Sequence, residues 1–415
     1  MKRHVRLTLA LLVATAVAVV AAVGAGAKGT TSSRAAAACG SIARARAKDP
    51  NNLLPTLHLD PAQLKSYTGW NHQIFTSAWA HWKPTHKPPY KVAIVWGTVP
   101  NAFNQYTINL IQKDLKQSPL IDKNITVTTA SSSTAIAEQL QQYEAAVAQK
   151  PDLIIFDPIS PTTAQSYIEA AGKQGIPTVT VFNPVDTPYA VTITRNTYID
   201  STQVASEMVK DLNGQGTILE VLGTPTSATA VDEQAQWRTV LANCPGIKIV
   251  GPAIGFYSTA VAKTAVLQWL ATHPGKIDGV LQTAAMAQGV MQGFQQAGQA
   301  VPVIGQIQAE KSVTAYWLQN AAKGYKGAAV IGGATDYSNL ISRVMLRMLA
   351  GQGPKINMFV WKLVPVTEAN LKALASPSWT TDTPGEVEVP KKYWWTKNEL
   401  DRLFNSPKLT KGTQG

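Results

Sequence analysis

The sequence predicts an α/β protein built as two doubly wound lobes, each a parallel sheet with helices on both faces. Three observations carry this expectation. Short, continuously apolar runs alternate with stretches whose apolar residues recur every three or four positions. Repeated β–α units of this kind imply parallel strands joined by crossover helices. The alternation breaks off and starts afresh near residue 195, and 415 residues exceed what one hydrophobic core usually serves.

Regularity begins after an irregular stretch, 34–89, rich in Pro, Ala and Trp. Val92–Trp96 is apolar throughout, which suits a strand covered on both faces. After the loop 97–104, Ile108, Ile111 and Leu115 mark one helical face. Residues 125–128 read as the next strand, and Ile136, Leu140, Tyr143 and Val147 as the next helical face. Leu153–Phe156 is a second fully apolar strand. Ser160 and Pro161 then read as an N-cap and a first helical residue, with Ala164, Ile168 and Ala171 facing inward. Gly175-Ile176-Pro177 ends that helix and leads into a strand at 178–182. In the second run, strands are predicted at 217–222, 249–250, 280–281, 303–304 and 329–331. Helices are predicted at about 231–242, 260–272, 285–297 and 311–323.

Composition narrows the function. With 45% hydrophobic and 15% charged residues, the chain is neither a disordered acidic tail nor a coiled coil. One segment, 7–27, is apolar and long enough to cross a bilayer, which excludes a polytopic membrane protein. Lys2, Arg3 and Arg6 precede it and small residues at 24–27 close it, the order of an export signal. An uncleaved single-span anchor is the other reading. Five of the 37 basic residues lie before Cys39 with no acid among them, so the rest, 32 basic against 25 acidic, carries only +7. No basic run interleaved with aromatics and no helix-turn-helix or zinc-finger spacing appears, so nucleic acid is not an expected partner.

The two cysteines leave two readings open. Ala37-Ala38-Cys39-Gly40-Ser41 resembles a lipobox, whose cysteine becomes lipidated, although Lys28 and Arg34 separate it from the apolar run. A Cys39–Cys244 disulfide is equally natural for an even count in an oxidising compartment. His72, His81 and His86 lack the spacing of a helical ligand pair and are read as surface or packing residues, and no cofactor is expected. Asp157-Pro158 is read as a turn, and Gly223-Thr224-Pro225 as an ordinary turn after a strand. No Gly-x-Ser-x-Gly elbow, Walker loop or His-Glu-x-x-His motif assembles a catalytic set, so an enzyme is not expected.

Several stretches together resemble the type 1 periplasmic binding proteins, and among them the ribose-binding-like proteins that feed ABC transporters. They are Lys91–Val95 with 101–104, 137–158, 170–180, 289–298 and 365–371. The resemblance implies two lobes joined by three hinge crossings, near 194–199, 332–336 and 363–366, which close on a solute. It sets residues 1–38 as signal peptide, 39–89 as an extension, and 90–195 with 334–362 as the first lobe. The second lobe is then 197–332 with 363–376, and 377–415 is a tail lying on the lobes, anchored by Tyr393, Trp394 and Trp395. Carried over by position, the ligand-binding candidates are Asn101, Phe103, Asn104, Phe182, Asn183, Glu233, Trp237, Phe256, Thr283, Gln306 and Asp336. Sugar-binding members usually have an Asp-Arg pair where this chain has Phe182-Asn183, so the charged clamps differ. The function implied is a monomeric, extracytoplasmic receptor handing a small polar solute, a sugar or sugar-like molecule, to an ABC permease. A solute-sensing domain for a signalling partner is the alternative. The order of basic, apolar and small residues predicts that the exported protein lacks its first residues up to about Cys39. Intact mass of the native protein checks this, and a retained Met1 in a cytoplasmic fraction contradicts it.

Overall fold

The computed structural model describes residues 39–41 and 46–405. The expected export segment lies outside the described residues. The extension opens with two short helices, α1 (Leu53–Thr56) and α2 (Pro61–Ser66). Asp60 starts α2 by accepting from the Gln63 amide at 2.9 Å, with Pro61 at the first helical position.

The chain then lays down β1 (Val92–Trp96), α3 (Ala102–Gln117), β2 (Thr126–Thr129), α4 (Ile136–Ala148), β3 (Leu153–Phe156), α5 (Pro161–Lys173), β4 (Thr178–Val181) and β5 (Ala190–Thr194). It continues with α6 (Thr197–Asp211), β6 (Gly216–Leu222), α7 (Ala228–Leu241), β7 (Ile247–Ile254), α8 (Thr259–Thr272), β8 (Gly279–Gln282), α9 (Ala287–Gln296), β9 (Val303–Ile307), α10 (Lys311–Asn320) and β10 (Ala328–Val330). Last come α11 (Ala334–Leu349), β11 (Met358–Val360), β12 (Pro365–Val366), α12 (Glu368–Leu374) and α13 (Lys397–Leu403).

Two six-stranded sheets result, in the orders β2-β1-β3-β4-β5-β11 and β7-β6-β8-β9-β10-β12. All pairs are parallel except β10–β12, which is antiparallel. The sheet order forces the chain to pass between sheets three times, after β5, after β10 and after β11. The third passage spans 361–364 rather than the 363–366 read from sequence. Val366 already pairs with Ala329, and the Ile331 amide bonds the Val364 carbonyl at 2.8 Å.

The central strands β1, β3, β4 and β5 are buried along their whole length, whereas the edge strand β2 is exposed or half-buried, as its Thr-Val-Thr-Thr sequence suits. β5 went unrecognised in the sequence because two of its five residues, Thr192 and Thr194, are polar. The Thr192 hydroxyl is satisfied in the interior by Thr180, 2.7 Å away.

Both ends of the chain join the first core. Trp70, Ile74 and Trp79 from the extension and Trp395, Leu400, Leu403 and Phe404 from the tail pack with β1, β4, β5, α11 and β11. Tyr67 donates its hydroxyl to the Met358 carbonyl at 2.8 Å. Of the three aromatics expected to anchor the tail, Trp395 is buried and Trp394 packs beside Val387 and Val389 on the second lobe, but Tyr393 is exposed. His81 and His86 are exposed, and His72 is half-buried between two carboxylates.

Cys39 and Cys244 are joined by a disulfide, with Cα atoms 4.6 Å apart. A sulfur bonded in this way is not free to carry a lipid thioether. Among the described residues no helix is long and apolar enough to cross a membrane. The bridge links residues 205 apart, so it removes much of the freedom of the unfolded chain. Replacing both cysteines by serine is expected to lower stability by about 2–5 kcal/mol. Chemical denaturation of parent and variant measures the difference.

Candidate functional site

In open parallel sheets, ligands collect outside the carboxyl ends of the strands. Here the loops after β1, β3, β4, β6, β7, β8 and β9 converge with the first crossing and with Tyr337 of α11 on one cavity of about 120 Å³. The first lobe contributes Asn101, Phe103, Asn104, Asp157, Phe182 and Asn183, and the second contributes Thr224, Ser227, Thr229, Tyr257, Ala285 and Gln308.

Aromatic rings form the floor on the first-lobe side. Phe182 lies 5.6 Å from Phe103, 5.0 Å from Tyr337 and 5.7 Å from Trp96, measured between ring centroids. Asn101 caps α3 by accepting from the Asn104 amide at 3.1 Å. Its Nδ2 donates across the cleft to the Tyr257 carbonyl at 2.8 Å. Asn104 Oδ1 accepts from Trp96 Nε1 at 3.0 Å. Asn183 joins both lobes as well: its Nδ2 donates to Asp157 Oδ1 at 3.3 Å, and its Oδ1 accepts from Ser227 Oγ at 2.7 Å. Tyr257 approaches the chain at Gly223 so closely that a Cβ there would stand 2.2 Å from its ring. That close approach gives the glycine of the turn after β6 its reason.

Four residues at the cavity hold positive φ without being glycine: Phe182 (60°), Tyr257 (57°), Ala285 (64°) and Gln308 (78°). Each follows the end of a strand, and such strain collects where a surrounding scaffold over-determines the backbone.

Five of the residues picked from sequence therefore line the cavity: Asn101, Phe103, Asn104, Phe182 and Asn183. The other six do not. Trp237 is fully buried in the second lobe, donating Nε1 to Glu220 Oε1 at 2.6 Å. Glu233 is buried behind Arg195, 3.3 Å from its Nη2. Thr283 accepts from the Gly223 amide at 2.7 Å while Ala284 and Ala285 face the cavity. Gln306 accepts from the Glu310 amide at 2.9 Å, and Gln308 lines the cavity instead. Phe256 and Asp336 are each displaced by their neighbours Tyr257 and Tyr337. In these four cases the right loop or turn was found, but a shift of one or two residues turns a different side chain inward.

Asp157, Arg195, Thr224, Tyr257 and Gln308 were missed. Asp157 had a usable signal, since it directly follows a buried parallel strand. Burial pushes its carboxyl up to about 7, against hydrogen bonds from Asn183 and the Gly97 amide that favour the charged form. Arg195 lies in the first crossing, with Nε 3.6 Å from Asp200 and Nη2 on Glu233. Its Nη1 and the Gln308 Nε2 have no hydrogen-bond partner among the described residues. Among the described residues no group of three or more His, Cys, Asp or Glu could hold a metal.

Comparison with known proteins agrees with this geometry. Residues 92–353 match the family described as periplasmic binding protein domain. The chain belongs to the periplasmic binding protein family. The galactofuranose-binding protein YtfQ of Escherichia coli (strain K12) is 22% identical over 171 residues, which cover 40% of this chain and 54% of that protein. The match thus spans about half the length of that curated relative. The crystal structure of an ABC transporter solute-binding protein from Thermobispora bispora is similar with a TM-score of 0.63 at 24% identity, over 71% of this chain and 90% of that one. A solute-binding protein from Bacillus halodurans with bound myo-inositol gives 0.59 at 17% identity, over 70% and 98%. These likenesses establish a shared fold.

Within this periplasmic binding protein the raised pKa of Asp157 has a measurable sign. The folded state takes up a proton on this group between about 4 and 7, so its contribution to stability falls as pH rises through that window. In Asp157→Asn the loss of stability between pH 5 and pH 8 is expected to be smaller than in the parent by on the order of 1–3 kcal/mol. Urea unfolding at the two pH values checks it, and parallel pH trends in both proteins would contradict it.

Proposed function

We propose that this protein is the extracytoplasmic solute-binding component of an ABC importer, closing its two lobes on a small, neutral, polyhydroxylated solute. The observation that carries this reading is the interlobe cavity itself: the aromatic faces of Phe103 and Phe182 with the Asp157 carboxyl and the Asn183 amide on the first-lobe side, and Thr224, Thr229, Tyr257 and Gln308 on the other. Apolar ring faces suit the C–H surface of a sugar or cyclitol, while directional polar groups suit its hydroxyls. Arg195 already lies against the carboxyl groups of Asp200 and Glu233, and Asp200 balances its charge, which favours a neutral solute over an anion. Galactofuranose and myo-inositol, named for two similar proteins, share this chemistry. Those relatives are solute-binding proteins, one of them of an ABC transporter, which supports an importer over a signalling receptor and over an enzyme. The partner is then a membrane permease, and the protein acts outside the cytoplasm as a monomer.

A thermal-shift screen with myo-inositol, glycerol, galactose and arabinose tests the reading. A true ligand at 100 times its Kd adds about 2.7 kcal/mol to stability. Asn183→Ala, which removes half-buried hydrogen bonds to both lobes, is expected to weaken binding of that ligand by about 5- to 150-fold in calorimetric titration. A screen in which no sugar or polyol raises the melting temperature defeats the proposal.

A further inference from the structure

The extension carries a contact that the cavity and its solute do not explain. His72 stands between two carboxylates that belong to different lobes. Its Nδ1 is 3.2 Å from Asp186 Oδ1, in the loop between β4 and β5. Its Nε2 is 2.8 Å from Asp232 Oδ2, on α7. Asn71 Nδ2 donates to the other oxygen of Asp232 at 3.0 Å. The segment itself is fixed to the first lobe. Trp70 and Ile74 are buried in its core, the Phe75 amide donates to Asn357 Oδ1 at 2.8 Å, and the Gln73 amide donates to Asp186 Oδ1 at 3.2 Å. The imidazole therefore travels with the first lobe and Asp232 with the second.

A carboxylate only accepts, so a ring with a carboxylate at each nitrogen needs a proton on both. We propose that Asn71 and His72 form a protonation-dependent latch, in which the imidazolium ties the first lobe to Asp232 of the second and lets go when its proton is lost.

The charged groups facing the latch are Asp186 and Asp232 on the ring, and Lys48, 3.8 Å from Asp186 Oδ2. Arg46 and Lys48 share a surface hollow with Asp232, and Glu233 follows Asp232 on α7. Burial alone would lower the His72 pKa, but hydrogen bonds and charge from Asp186 and Asp232 outweigh it and push it up to about 9. When the lobes part, Asp232 leaves and only Asp186 remains. The closed form thus holds the proton more tightly than the open form. Closure is favoured fully below the ordinary histidine value near 6.5 and weakens as pH rises toward about 9. Each unit by which Asp232 raises the pKa multiplies the closed-to-open ratio about tenfold.

Asp157 and Glu233, raised by burial to about 7 and about 8, also titrate at the interface, so the parent's pH response alone does not identify the latch. The comparison of parent with variant does. Small-angle X-ray scattering of the exported, disulfide-bonded chain without solute is measured at pH 6 and pH 9.5, for the parent, His72→Gln and Asp232→Asn. The expected result is a parent that expands at pH 9.5, and two variants already expanded at pH 6 whose further change is less than half the parent's. Thermal unfolding confirms that each variant is folded. Should His72→Gln fail to fold, Asp232→Asn, on the opposite lobe, carries the test alone. A parent that does not expand, or an Asp232→Asn protein that tracks the parent at both pH values, overturns the proposal. The readout uses no solute, so it is independent of the binding screen.

Discussion

The loops that bring Asp157, Phe182, Asn183 and Ala285 to the cavity leave strands covered on both faces, and this part of the site depends on that burial. The strands β1, β3, β4 and β8 are buried along their lengths, and the loops that leave them start from fixed points. Such a base holds Phe182 and Ala285 at positive φ, and Tyr257 and Gln308 share that conformation, which costs on the order of 1–3 kcal/mol per residue. The strain sets the direction of four side chains, and the apolar burial of two sheets offsets it. The cavity is thus a by-product of sheet packing, aimed by a few strained residues at its edge.

Charge is handled in the same economical way. Arg195 sits in a passage between the lobes, buried with Asp200 and Glu233 close by, and burial raises Glu233 to about 8 and Asp200 to about 6. A buried guanidinium without such neighbours would be strongly destabilising. With them it becomes a fixed group, held by Nε and Nη2. The carboxylates thus hold the arginine in place and leave the aromatic floor and the amides to decide which solute fits.

Most of the architecture was legible because parallel strands covered on both faces read as apolar runs, as Val92–Trp96 and Leu153–Phe156 do. β5 was not, since its threonines look polar until their partner on β4 is known. The long helix α11 was also missed, although Leu340, Ile341, Val344, Met345 and Met348 recur at helical spacing; what the sequence did not show is that Asp336, Ser338, Ser342 and Arg347 are buried as well, packed between α3 and the tail. The cavity was half legible. The candidates next to the first-lobe strands line the cavity, whereas Phe256, Thr283, Gln306 and Asp336 lie one or two positions from the residue that does. Loop conformation decides that offset, and no periodic signal reports it. Arg195 was invisible because its partners Asp200 and Glu233 are brought together only by the turn into α6 and by α7.

The packing of both chain ends into the first core has a consequence for the order of events during synthesis and export. Tyr67 bonds to Met358, Phe75 to Asn357 and Asp60 to Arg402, partners 282 to 342 residues apart. A chain that emerges amino end first holds the extension without the groups that complete it until nearly its last segment appears. The second sheet has its strands β6 to β10 within 115 consecutive residues and can assemble earlier. Contacts of long sequence separation close slowly, because the loop entropy is lost before the contact is gained. The first-born part of this protein is therefore the last to become native, and the carboxyl end sets the moment at which the whole molecule becomes compact.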